Sequence, residues 1–199
     1  MITPTHMLVA GALVARPTDR PWQQTAAWFG GFVPDMSVFV MVILVRLRLV
    51  EAPNIWRAPD GLYWQAPWQA ISAISNSIPM WAALAIAGAI AAQWLSDRWQ
   101  PFARALMLFA LAALLHVLLD LPVHADDSHI HFWPFSDWRF HSPISYYQRA
   151  YHGELVGLIE AGLAVCLAAL IVWRFRAWPV RLLAVLLLVP HVASYGFLF

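Results

Sequence analysis

The chain has 199 residues, 61% of them hydrophobic and only 12% charged, about half the charged share of a soluble globular domain, which is roughly 25%. Mean hydropathy is +0.63 and the formal net charge is +1 with histidine neutral, so no global field draws in nucleic acid or acidic partners. These values argue against a water-soluble enzyme, a nucleic-acid binder and a disordered chain, and for an all-α integral membrane protein.

The apolar segments follow in chain order. Residues 5–15 are too short to span a bilayer alone, which takes about 20 residues, and predict a tilted or half-inserted helix. No basic run precedes them, so they do not read as a cleaved signal peptide. Residues 26–49 are long enough but are interrupted by Gly30, Gly31, Pro34 and Asp35. Residues 77–95, 102–123, 153–173 and 179–199 complete a bundle of five or six helices forming one domain, 1–199. Arginine supplies every one of the twelve basic residues. With the N-terminus outside, the inner loops carry Arg16, Arg20, Arg98, Arg104, Arg174, Arg176 and Arg181, a slight excess in the positive-inside sense. The lone Cys166 lies in an apolar run, which excludes an internal disulfide and a cysteine-rich metal site.

Between the fourth and fifth helices lies the loop 121–153, LPVHADDSHIHFWPFSDWRFHSPISYYQRAYHG. Loops beyond about 12–15 residues without secondary structure are functional or disordered. The eight aromatic side chains from Phe132 to Tyr151 argue against disorder. They fit either an interfacial aromatic belt or a folded lid over a site, and the lid is the preferred reading. Five of the eight histidines, His124, His129, His131, His141 and His152, fall in this stretch.

Chemistry-bearing residues also sit within the apolar segments, where an ionisable group is costly and is a functional candidate by default. His116 and Asp120 stand at i and i+4, on one helix face. There they could share a metal, or the carboxylate could orient the imidazole in a purely structural hydrogen bond. Asp35 follows Pro34 and two glycines, a pattern that breaks a membrane helix and presents a carboxylate at the break; a plain helix start would also place an acid there. His6, in TPTHM, falls on the same side as Asp120 in the orientation above. His6, Asp35, His116 and Asp120 make a donor set suited to Zn and acceptable to Mn or Fe. His124, His129 and His131 could serve a second metal, with Asp127 as proton acceptor and Arg149 as phosphate holder. Glu154 could join the site, and Glu160 could pair with Arg104.

The order TH near the start, then PD, then HxxxD followed by WPFS resembles the membrane-bound metal-dependent hydrolase family of bacteria. This is the domain-of-unknown-function group typified by a LexA-regulated inner membrane protein, itself distantly similar to zinc-dependent phospholipase C and the S1/P1 nucleases. The resemblance spans nearly the whole chain on short motifs. It implies that His6, Asp35, His116 and Asp120 are metal ligands and that Asp120 is the central one, with His124, His129 or His131 on a neighbouring metal. The family usually has a second aspartate where this chain has Ser37, and a histidine-rich segment where residues 73–79 read AISNSIP, with Asn76 as a carbonyl donor.

The leading expectation is a membrane-embedded metal-dependent hydrolase, resident in a bacterial inner membrane, acting on a phosphoester of a lipid or lipid-linked substrate. A non-catalytic metal-binding or scaffold protein is the alternative, and a small proton-coupled permease using Asp35, Asp120 and Glu160 is a third.

Overall fold

Backbone polar groups inside a bilayer must be satisfied within the segment itself. In the computed structural model, which describes residues 1–192, the apolar segments do this as helices, and no extended sheet forms among the described residues. Three helical stretches are long and apolar enough to cross a membrane: Ala66–Trp94, Gln100–Val123 and Gly153–Arg174. A fourth is counted if Pro21–Gly30 and Val33–Arg46, bent by 48°, form one span. The expected first and sixth helices correspond to the shorter apolar helices Thr3–Val14 and Trp178–Val192. The end of the sixth, 193–199, lies outside the described residues.

In chain order the helices are α1 (Thr3–Val9), which continues as a π turn through Ala10–Val14, α2 (Pro21–Gly30) and α3 (Met36–Arg46), followed by α4 (Ala66–Ser75) and α5 (Ile78–Trp94). Then come α6 (Gln100–Asp120), α7 (Gly153–Arg174) and α8 (Trp178–Leu186). Proline in the first turn marks the start of α1, α2, α4, α5, α6 and α8, where its missing N–H costs nothing.

The centre of the bundle is α6. Its buried positions are mostly small: Ala103, Ala105, Ala110, Ala112 and Ala113. In lipid, where apolar surface alone does not drive helices together, small residues let backbones approach. Its two flanking helices each bring a glycine. A Cβ at Gly88 of α5 would sit 2.7 Å from the Met107 nitrogen, and one at Gly30 of α2 would overlap the Phe109 carbonyl. On another side, α1 and its π turn bury Leu8, Val9, Ala10, Ala12 and Val14 among Trp28, Leu108, Leu167, Ile171 and Phe175. Though too short to span, α1 is therefore core rather than periphery.

The loop after α6 is ordered by specific bonds. Ser142 N donates to His124 O at 3.0 Å and Tyr146 N to Val123 O at 3.1 Å. Its other edge docks at the break between α4 and α5: Ile78 N donates to His131 O (2.9 Å) and Ser77 Oγ to Trp133 O (2.5 Å). Arg139 donates from one Nη to Ser128 O and from the other to Gln69 Oε1 on α4 (2.6 Å), tying the loop to that helix.

Candidate metal centre

Four elements converge where α6 ends. The last turn of α6 carries His116 and Asp120, both 1% exposed. The buried α1 adds His6, the bend between α2 and α3 adds Asp35, and the loop adds His124 and His129. His6 Nε2 lies 2.9 Å from Asp120 Oδ1. His116 Nε2 lies 3.1 Å from Asp120 Oδ2 and 3.5 Å from Asp35 Oδ1. His124 Nε2 lies 3.5 Å from Asp120 Oδ1, and the Met1 nitrogen lies 2.6 Å from the same oxygen. The donor atoms fall into two groups, each within 4.8 Å: His6, His116 and Asp120, and Asp120, His124 and His129. Asp120 belongs to both.

Hydrogen bonds decide which way the imidazoles face. His116 Nδ1 lies 2.8 Å from Gly31 O. A carbonyl only accepts, so Nδ1 carries a proton, and it is Nε2 that faces the carboxylates, its lone pair free whenever the ring is neutral. His124 repeats this: Nδ1–H donates to Asp127 Oδ2 at 2.8 Å, which leaves Nε2 toward Asp120. His131 Nδ1–H donates to Asn76 O at 3.3 Å. In all three rings Nε2 is buried without a hydrogen-bond partner, as is Nδ1 of His6. A bare Nε2 lone pair facing a carboxylate oxygen is repelled by it, so at His116 and His124 either a proton or a metal cation belongs between Nε2 and Asp120. A metal-ligating histidine usually donates its other nitrogen to a carboxylate or carbonyl, as these two do.

His129 is held differently. Its Nδ1 lies 3.1 Å from Tyr63 Oη and 3.3 Å from Ser72 Oγ; a hydroxyl donates or accepts, so either tautomer is satisfied. Its ring packs 4.8 Å from that of His124 and 5.9 Å from that of His131. On the other flank, Thr3 Oγ1 donates to Asp35 Oδ2 at 2.5 Å.

In the metal-free protein the two loop imidazoles differ: His124 is charged at neutral pH and His129 is neutral. Burial opposes a charge on His124, but the charge of Asp120 and the bond to Asp127 outweigh it and raise its pKa to about 9. Burial and the neighbouring His124 lower His129 to about 3, so that ring is neutral. Burial would raise Asp127, yet its bond to His124 holds it below the usual carboxylate value. Burial pushes the Tyr63 hydroxyl up to about 12, and it remains protonated beside His129.

His6, Asp35, His116, Asp120, His124 and His129 are thus brought together, with Asp127 behind His124 and His131 beside His129. Arg149 is not among the converging groups. Its Nε pairs with Glu154 Oε1 at 3.1 Å, with both side chains more than half exposed. One further expectation, the pairing of Glu160 with Arg104, is corrected. Arg104 pairs with Asp19 at 2.6 Å rather than with Glu160; Glu160 accepts from Thr5 Oγ1 (2.7 Å) and Ile2 N (2.8 Å). The sequence reading missed Tyr63, Ser72, Thr3 and the Gly31 carbonyl, none of which carries a metal-ligand signal of its own. The chain matches no family model, no curated protein and no solved structure.

Proposed function

We propose that the chain is a membrane-embedded metal-dependent hydrolase that cleaves a phosphoester of a lipid or lipid-linked substrate, in a bacterial inner membrane and with the N-terminus outside. The observation that carries the metal is the pair of buried imidazole nitrogens, His116 Nε2 and His124 Nε2, that face the shared Asp120 carboxylate without hydrogen-bond partners, with His6 and His129 in the same two donor groups. The donor chemistry fits: imidazoles and carboxylates without thiolate suit Zn, and accept Mn or Fe. His6, Asp35, His116 and Asp120 would hold one ion, and Asp120, His124 and His129 a second, with Asp120 between them. The family resemblance drawn from TH, PD, HxxxD and WPFS supports the same assignment.

A bound divalent ion supplies Lewis acidity and lowers the pKa of water toward neutrality. The chain's own residues do the rest. Gly31 O and Asp127 fix the imidazole tautomers, and Asp127 keeps Oδ1 free of hydrogen bonds to accept a proton. The loop 121–153, bonded to the α4–α5 break and to the end of α6, acts as a lid that keeps bulk water from the site. Where the family's histidine-rich segment would stand, Asn76 instead holds His131 through its backbone carbonyl; His129 and His131 supply the imidazoles which that stretch lacks. Arg149, whose Nε is on Glu154, would hold the phosphate. In this reading α1 and α8 join the longer helices to give the five or six of the bundle.

The test is elemental analysis of detergent-purified protein beside His116→Ala and Asp120→Ala, with folding followed by size exclusion and circular dichroism. Near-stoichiometric metal in the wild type, lost in both folded variants, supports the site and leads to a screen of phosphoester substrates. A wild type that stays metal-free after reconstitution with Zn, Mn and Fe overturns the reading, and the cluster is then bundle architecture.

A further inference from the structure

A second polar feature lies at the other end of α6, about 24 Å from Asp120 if the sixteen residues back to Arg104 are taken at 1.5 Å each. A cavity of about 530 Å³ opens there between α2, α5 and α6, within the range of pockets that hold a small ligand, roughly 300–1,000 Å³. Arg20, Arg104, Gln93, Gln100 and Thr18 give its lining a donor-rich polar side, and Ala89, Ala92 and Met107 an apolar one.

The charge balance favours an anion. Asp19, also in the lining, is the acid there, and its carboxylate is committed. Oδ1 accepts from Arg104 Nε (3.1 Å) and Nη2 (2.6 Å), and Oδ2 accepts from Arg16 N (2.9 Å). Its side chain is 1% exposed, whereas that of Arg104 is 39% exposed. Arg104 therefore keeps Nη1 for another acceptor while Asp19 holds the guanidinium in place, and Arg20 adds a second, exposed cation. A guanidinium so oriented matches the oxygens of a phosphate group.

The surroundings place this cavity at headgroup depth. Trp22, Trp94, Trp99 and Phe102 are exposed around the same helix ends, with Trp22 and Trp99 packed on Phe102 at ring-centroid distances of 5.3 and 5.8 Å. Exposed tryptophan beside arginine marks the interface between hydrocarbon and water. A mouth lined by arginine at that level, continuing into an apolar wall of α5, suits a phosphate carried on an acyl chain.

We propose that this cavity binds a phosphate-bearing group, an anionic phospholipid headgroup or free phosphate, at the end of the bundle opposite the metal centre and independently of it. The test uses purified full-length protein, with Arg20→Gln to remove charge and Ala92→Trp to fill the space; both leave the Asp19–Arg104 pair intact. Native mass spectrometry counts lipids retained from equimolar dioleoyl-phosphatidylglycerol and dioleoyl-phosphatidylcholine, and a thermal-shift series follows added inorganic phosphate. Preferential retention of phosphatidylglycerol that falls about fivefold in Arg20→Gln, the effect of roughly 1 kcal/mol for one arginine near a lipid surface, and is lost in Ala92→Trp, supports the site with lipid as the source. Stabilisation by phosphate that both variants lose, without lipid preference, supports it with the free anion as the source. Equal retention of the two lipids with no phosphate effect overturns it, as does a preference unchanged in both folded variants. Metal content of both variants stays at the wild-type level, which separates this outcome from the fate of the metal centre.

Discussion

The imidazoles of His6 and His116 lie stacked, ring centroids 3.5 Å apart and planes 11° from parallel, with both rings in contact with the carboxylate of Asp120. One residue comes from α1 and the other from α6, 110 positions later. The stack makes the first helix part of the site as well as part of the core. His6→Ala should therefore remove one equivalent of metal while the group of His124 and His129 keeps its own. His124→Ala should do the converse, and Asp120→Asn should remove both. Metal-to-protein ratios by elemental analysis check this. Loss of both equivalents from His6→Ala would show that the two groups act as one site.

Asp127 tests orientation. Its carboxylate holds His124 through Nδ1, and losing such a supporting partner typically weakens metal binding by about 10–100-fold. Asp127→Asn should show a loss of that size for one equivalent only, measured by competition with a chromophoric chelator. An unchanged affinity would leave Asp127 with a proton-transfer role alone.

The pH dependence of the metal-free protein follows from His124. Its folded pKa, about 9, stands above the model-compound value of 6.5, because Asp120 and Asp127 favour the charged ring against the effect of burial. The folded state therefore binds the extra proton, and the stabilisation is complete below pH 6.5 and lost as pH rises through about 9. The thermal midpoint of metal-free wild type should fall across that window more steeply than that of His124→Gln. A ligating imidazole must be neutral, so metal at this group displaces the same proton, and its affinity should rise about tenfold per pH unit up to that pKa.

Gly88 tests the packing. Its Cα lies so close to α6 that an added Cβ meets the backbone of Met107 and, at 3.1 Å, the Ala103 carbonyl, and backbone cannot rotate away. Gly88→Val should cost about 1–3 kcal/mol, the usual cost of overpacking a fitted interface. Gly162, with nothing within 4 Å of its Cβ position, should accept alanine without loss. Thermal unfolding in detergent compares the two.

The class of the fold could be read from composition, because lipid exposure demands apolar side chains and helices satisfy their own backbone. His116 and Asp120 were legible from their i, i+4 spacing, and Asp35 from the Pro34 break before it. The meeting of His6 with Asp120 spans 114 positions, and spacing alone carries no signal for such a contact; orientation and the family resemblance suggested it. α4 escaped notice because residues 66–76 mix glutamine and serine with apolar residues and fall below the hydropathy of a span, although Pro67 marks their start as a helix. Tyr63 and Ser72 were invisible for a related reason: their role depends on the loop 57–66 positions later folding back onto them, and hydropathy measures the preference for a solvent, never the identity of a neighbour.

The α4–α5 break has a consequence for how the chain is made. Its open backbone groups, Ile78 N and Asn76 O, and the Ser77 hydroxyl find their partners in His131 and Trp133. Synthesis runs from the N-terminus, so α5 and all of α6 emerge from the ribosome before those partners exist. Until His131 has followed, the kink between α4 and α5 must be solvated by water or held by the insertion machinery. A chain cut within α6 would leave that bend, just over a third of the way along the 29-residue stretch Ala66–Trp94, with its polar groups unmatched. Docking of the loop 121–153 thus supplies the partners for the polar groups that the bend between α4 and α5 leaves open.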